Sequence, residues 1–283
     1  MGSPKFGTPP VRAMNPAPAF PRARLTTWLT SLLTAISAPL AAQTSIVILN
    51  PSFETGSAAI FNEFTFGPPA GWQLYDPNGI TDGGDGDFFY VGTLTPTPNG
   101  EGGFINFLNG AADGQRVAIA FNYSETGGIG EYGLLQTLDA TLQANTTYSL
   151  QVDIGNIASG TAVDNTFFNL DGFPGYRVDL LAGDTVVASD NNTLSGTIAE
   201  GEFGLSVVQF TTGASHASLI DQPLTIRLVN LNVIDPAFPT ADLEVDFDNV
   251  RFTATAIPEP AAWSWLALIA GGFAFLRRRR PRA

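Results

Sequence analysis

Between Gln43 and Ile257 the apolar residues come in short runs, each closed by a turn cluster, and no helical apolar period runs through the segment. That pattern restricts the chain to strands and tight connections. The predicted strands are Ser45 to Leu49, Gln115 to Phe121, Gly133 to Leu138, Thr147 to Ile154, Tyr176 to Leu181, Thr185 to Ser189, Phe203 to Thr211, Leu224 to Asn230 and Leu243 to Thr253. The punctuation between them is Pro77-Asn78-Gly79, Asn99-Gly100, Gly183-Asp184 and Asp190-Asn191-Asn192. Tyr176 to Ser189 reads as a hairpin about Gly183-Asp184. With 30 glycines, 20 prolines and only 14% charged residues, the 215-residue stretch 43–257 is expected to be one all-β domain, a β-sandwich. Two stretches lack a strand pattern, Gly79 to Gly103 and Ile154 to Gly175, and loops of that length are expected to rim a cleft.

The charges are segregated. Nine of the 13 basic residues lie at the two ends, and the 43–257 segment holds 25 acidic residues against Arg116, Arg177, Arg227 and Arg251. An acidic domain of this kind repels nucleic acid and attracts cations. The chain has no cysteine and one histidine, which excludes disulfides, a thiolate nucleophile, cysteine-ligated metals and multi-histidine metal sites within one chain. His216 sits in a run of small residues and no Gly-x-Ser-x-Gly elbow is present, so it is expected to be structural. The Asp82–Asp87 loop lacks the full calcium-loop spacing and reads as solvated.

The ends read as targeting segments. Residues 1–42 carry Arg22 and Arg24, an apolar stretch Leu25 to Leu40 and small residues Ala41-Ala42, the order of parts in a secretory signal peptide, with Met14 a possible true start. Residues 258–283 read Pro258-Glu259-Pro260, an apolar helix over 261–276, then Arg277, Arg278, Arg279 and Arg280. Sixteen helical residues span only ~24 Å, short of a ~30 Å hydrocarbon core, and the arginines favour the cytoplasmic side. Pro-Glu-Pro, a short transmembrane helix and an arginine cluster together resemble the PEP-CTERM sorting signal of Gram-negative bacteria. The resemblance implies exosortase and the secretion machinery as partners, contact with the membrane through the helix before processing, an inner-membrane intermediate, and delivery to the cell surface or extracellular matrix.

The domain opens on Asn50-Pro51-Ser52-Phe53-Glu54 and closes on Asp246-Phe247-Asp248-Asn249-Val250. These ends resemble galactose-binding-like jelly rolls, which include many carbohydrate-binding modules. That resemblance implies adjacent first and last strands and a structural calcium shared by Glu54 and Asp248. The strand itself supports Asp248. Leu243, Val245 and Phe247 share one parity and Val250 and Phe252 the other, so a bulge at Asp248-Asn249 is needed to keep one face apolar. Aromatic rings stack on sugars, and Trp72, Tyr75 and Tyr90 are the candidate ligand platforms. The leading expectation is therefore a non-enzymatic, exported, calcium-stabilised protein that binds or organises exopolysaccharide of a biofilm. The second is an enzyme: the same jelly roll resembles the Stig cyclases of hapalindole-type alkaloid biosynthesis, which implies a carboxylic acid as proton donor, here Asp246.

Overall fold

A computed structural model describes residues 42–56, 60–97, 106–123, 130–162 and 165–258. Its regular structure is almost entirely strand. In chain order the strands are β1 (Gln43–Ser45), β2 (Gln73–Tyr75), β3 (Phe89–Leu94), β4 (Val117–Asn122), β5 (Tyr132–Thr141), β6 (Thr146–Asn156), β7 (Gly160–Thr161), β8 (Phe167–Phe168), β9 (Tyr176–Ala182), β10 (Thr185–Asn191), β11 (Glu202–Thr211), β12 (Pro223–Asn230) and β13 (Leu243–Ala256). One sheet runs β11-β6-β13-β4-β3, with β1 also paired to β13; the second runs β10-β9-β12-β5-β2. The described domain is a β-sandwich of the jelly-roll kind.

The core follows from parity. Val245 and Phe247 of β13, Leu150 and Val152 of β6, Val178 and Leu180 of β9, and Ile226 and Leu228 of β12 are buried in one cluster between the sheets. β6 shows the alternation expected of a strand covered on one face, buried at Tyr148, Leu150 and Val152 and half-exposed between them. The predicted hairpin is present: β9 and β10 pair across a tight turn at Gly183, whose φ of 56° suits glycine.

β3, β4 and the first half of β13 differ. Every residue of β3 and of β4 is buried, and so are Leu243 to Asp248. Strands buried on both faces need a second layer outside the sheet. It comes from residues near 60–66, 106–111 and 157–170, which build a second apolar cluster of Tyr90, Phe107, Ile119, Phe121, Ile157 and Leu170 with Phe64 and Phe168 against it. Full burial explains why β3 carries no alternation in the sequence. Its run Phe89-Tyr90-Val91-Gly92-Thr93-Leu94 lies inside a stretch expected to be loop. Gly92 is required there, because a Cβ would come within 1.8 Å of the Thr65 carbonyl oxygen.

The first and last strands are neighbours, Gln43 opposite Thr255 and Ser45 opposite Thr253. The β13–β6 register slips between Asp248 and Arg251, with Asn249 at φ 51° and the Val250 N–H donating to the Pro51 carbonyl at 2.9 Å. This is the bulge that the change of apolar parity demands. Among the described residues no helix is long and apolar enough to cross a membrane. The predicted signal segment 1–42, apart from Ala42, the helix over 261–276 and Glu259, Pro260 and Arg277 to Arg280 lie outside the described residues; Pro258 is exposed.

Candidate active site

The second layer leaves a cleft against the outer face of the β11-β6-β13-β4-β3 sheet, with about 410 Å³ of empty space open on one side. Its walls are mostly apolar: Phe64, Tyr90, Leu94, Ile119, Phe168 and Leu170. Tyr90 anchors them, its ring 4.7 Å from Phe66 and 5.0 Å from Phe121. Polar residues interrupt the walls: Asn62, Asn106 and Thr161, from segments outside the sheet, and Glu244 of β13. Two roomier grooves, of about 730 and about 950 Å³, flank the 43–51 segment, but neither is lined by a buried acid.

Glu244 and Asp246 project from the same face of β13, two residues apart, while Val245 and Phe247 point into the core. Glu244 is 7% exposed and lines the cleft. Asp246 is fully buried one pleat further on; among the described residues no N–H or hydroxyl donor reaches its oxygens, and it shares a carboxyl–carboxyl hydrogen bond with Glu244 when one of the two is protonated. Gly155 faces it across β6: a Cβ there would come within 2.8 Å of the Asp246 Cβ and 2.7 Å of the Phe107 ring. Burial raises the pKa of both acids. For Asp246, the charges of Glu244 and Asp248 add to the effect, and it lies well above the usual carboxylate range.

Among the described residues no arginine forms an ion pair with either acid. Arg177 and Arg227 pair with Glu131 and Asp179 on the other sheet, Arg251 lies 3.2 Å from Asp153, and Arg116 donates to the Glu54 carbonyl oxygen at 3.4 Å. An unpaired buried acid keeps its proton near neutral pH. Asp246 is thus a candidate proton donor that lies behind the cleft wall, with Glu244 between the two as the acid that lines the cleft.

Glu54 and Asp248 meet at one loop. Glu54 Oε1 accepts from the Gln115 and Arg116 N–H groups at 2.8 and 2.7 Å, and Asp248 Oδ2 accepts from the Asp113 N–H at 2.7 Å. Burial, opposed by hydrogen bonds from the Asp113 and Asn249 amides, leaves the Asp248 carboxyl raised to about 8. A carboxylate in that position lacks a counter-charge, so the donors suit a hard, oxygen-liganded cation. Among the described residues no three acidic or histidine side chains converge as a metal cluster, so carbonyl oxygens would have to complete any such shell.

The proposed sugar platforms separate. Trp72 is buried, packs 5.4 Å from Phe53 and donates its indole N–H to the Asn50 carbonyl at 3.2 Å; it belongs to the core. Tyr75 lies on the other sheet, its hydroxyl on Glu131 at 2.7 Å and its ring 4.4 Å below Arg227. Only Tyr90 of the three reaches the cleft. His216 caps a short 3₁₀ turn, accepting from the Gly213 N–H at 3.0 Å with its ring 4.8 Å from Phe210.

Comparison with known proteins decides between the two readings. The profile of the HpiC1-like family, described as HpiC1 cyclase, matches residues 44–253. The chain belongs to the HpiC1-like cyclase family. An apo cyclase from Fischerella sp. is 37% identical, with 77% of this chain and 98% of that one covered and a TM-score of 0.63. A Stig cyclase, Fisc, from Fischerella sp. TAU, solved with (3Z)-3-(1-methyl-2-pyrrolidinylidene)-3H-indole, is 38% identical over 76% of this chain and 100% of that one, TM-score 0.63. A cyclase from the same source, solved with 4-(1H-indol-3-yl)butan-2-one, matches to the same extent. No curated protein matches.

Membership of the HpiC1-like family corrects the leading expectation. The domain is a cyclase-family fold, not a non-enzymatic module that binds or organises biofilm polysaccharide, and the tail motif gave no ground for that function. Sequence reasoning erred by judging aromatic residues by type rather than by burial. It named Asp246 only for the cyclase alternative and missed Glu244. The available signal was parity: Glu244, Asp246 and Asp248 are acids on one face of a strand whose other face is apolar.

Proposed function

We propose that this HpiC1-like protein is a cyclase in which Asp246, as a neutral carboxylic acid, protonates a largely apolar substrate held in the cleft of Tyr90, Phe64 and Phe168. The observation that carries the reading is the Asp246 carboxyl itself, fully buried beside the Glu244 carboxyl and, among the described residues, met by no N–H or hydroxyl donor and paired with no arginine. Protonation of a substrate double bond leaves a carbocation. The ring faces lining the cleft stabilise that cation, and a carbon–carbon bond closes the ring. Loss of a proton to the Asp246 carboxylate restores the acid, so the reaction is an isomerisation and consumes no co-reactant. The apolar walls keep water from quenching the cation. Glu244, next to it, opposes ionisation of Asp246 and keeps its proton in place. The ligands of the Fischerella structures make an indole-bearing substrate the reading we adopt for this chain. Asp246→Asn should abolish turnover of such a substrate without unfolding the domain; retained activity would remove Asp246 as the donor.

A calcium ion bound by Glu54, Asp248 and neighbouring carbonyl oxygens accompanies this reading. It would tie the bulge of β13 to the 50–54 and 113–116 segments and take no part in proton transfer. A melting temperature insensitive to chelator would exclude it. Export remains a proposal from the two ends: mass spectrometry of the protein from its host should find termini near residues 42 and 260, and an intact full-length chain outside the cytoplasm would contradict it.

A further inference from the structure

The cleft wall from outside the sheet carries one polar atom that the reading above leaves without a role. Asn106 is 5% exposed and held at two points. Its backbone carbonyl accepts from the Ala158 N–H at 3.0 Å, and its Nδ2 donates to Asn62 Oδ1 at 3.1 Å. The orientation of the amide is forced. Asn62 Nδ2 donates to the Thr161 carbonyl at 2.6 Å, so Asn62 turns its oxygen to Asn106, and only the nitrogen of Asn106 can answer it. The Asn106 oxygen is thereby left over for the cleft, and no donor to it is seen among the described residues. It lies beside Gly160, another lining residue: a Cβ built on Gly160 would stand 2.6 Å from Asn106 Oδ1. The oxygen therefore points into the space that a side chain at 160 would fill.

We infer that Asn106 is a specificity-determining residue whose side-chain oxygen accepts a hydrogen bond from a ring N–H of the substrate. The inference rests on the cleft being the cyclisation site and adds the class of substrate it selects: a flat aromatic heterocycle with a single N–H donor, apolar elsewhere. A fixed acceptor in an apolar wall discriminates strongly, because a ligand without the donor strips water from the oxygen and gives nothing back. Asn62 is the positioning residue, since it holds the Asn106 amide in the orientation that frees the oxygen.

The test is calorimetric titration of the full chain with 4-(1H-indol-3-yl)butan-2-one and with its benzofuran analogue, which has the same outline and a ring oxygen in place of N–H. The native protein should bind the indole at least about tenfold more tightly, a difference of about 1.4 kcal/mol. Asn106→Ala should bring the two ligands to within about twofold of each other. Gly160→Ala, whose methyl group would crowd the Asn106 oxygen and push it aside or cover it, should do the same; melting temperatures near that of the native chain confirm that both variants fold. An Asn106→Ala protein that keeps the native preference for the indole overturns the inference, as does a native protein that binds both ligands equally, while either result leaves the cleft as the binding site. A native protein that binds neither ligand overturns the cyclisation site and this inference together.

Discussion

The two sheets bury acid in opposite ways. On the outer face of the β10-β9-β12-β5-β2 sheet, Asp179 is 1% exposed and every neighbour answers it: Arg227 Nη2 lies 2.6 Å from its Oδ2, Arg177 Nε donates at 3.0 Å, and Ser189 donates its hydroxyl to Oδ1. Arg177 also grips Glu131, which accepts from Tyr75. On the outer face of the other sheet, Asp246 is equally buried, and among the described residues no cation or N–H donor answers it; its neighbour is a second acid, Glu244. A satisfied buried acid stabilises a fold; an unsatisfied one weakens it and persists for what it does. The contrast therefore separates the acid that holds the protein together from the acid proposed to react.

The sharpest way to break the comparison is to neutralise each acid in turn. Asp246→Asn should lower turnover by roughly 10²- to 10⁴-fold, the range for loss of a general acid, and leave the melting temperature nearly unchanged, because a neutral amide replaces an acid of the same size that is already neutral. Asp179→Ala should do the reverse. It leaves Arg227 and Arg177 without their carboxylate, at a cost of about 3–5 kcal/mol, read as a lowered denaturation midpoint, while activity per folded molecule stays near native. If Asp179→Ala costs activity but not stability, the two faces have been assigned the wrong way round.

Calcium at 100 times its dissociation constant should add roughly 2.7 kcal/mol, several degrees in melting temperature for a domain of this size. Asp248→Asn should remove most of that increment, and Asp85→Asn, in an exposed loop, should keep it. An increment lost in Asp85→Asn alone would place the ion elsewhere.

pH separates the faces by sign. The active form of Asp246 is protonated and its pKa is raised, so kcat should hold through neutral pH and fall as pH rises through that raised value. Glu244→Gln removes the charge beside it and should move the fall to lower pH; an unmoved profile would show that Glu244 does not act on Asp246. Glu131 behaves oppositely. Its hydrogen bonds from Arg177 hold its carboxyl down at about 2. Its contribution to stability is fully present above the ordinary glutamate range and is lost as pH falls through about 2. The smallest expected effect is Tyr75→Phe, which removes one hydrogen bond to Glu131 and should cost about 0.5–1.5 kcal/mol, measured by denaturant titration.

Much of the sandwich was legible from parity. β6, β9, β11 and β12 have one wet face or border, and their apolar residues recur at every second position, so the strands stand where the pattern puts them. β3 was missed because both of its faces are dry and alternation disappears. β2, β7 and β8, of two or three residues, are too short to show a period. In the site, Asp246 and Tyr90 were visible by residue type and place. Glu244 needed parity applied to the polar face of β13. Phe64, Phe168 and Asn106 come from segments without regular patterning, so nothing local marks them as lining one space.

The sequence by itself determined the all-β class, the β9–β10 hairpin and the bulge at Asp248-Asn249; the first strand, expected at Ser45 to Leu49, lies at Gln43–Ser45. Each of those three is written in local patterning, turn residues or a change of parity within one strand. Tertiary structure decided which acids are left without a partner. Arg177 reaches Glu131 across 46 residues, Arg227 reaches Asp179 across 48 and Arg251 reaches Asp153 across 98. The spacing of charges along the chain does not reveal those pairings. Only when the fold has drawn the arginines to other surfaces does Asp246 remain, buried and unopposed, beside an aromatic cleft.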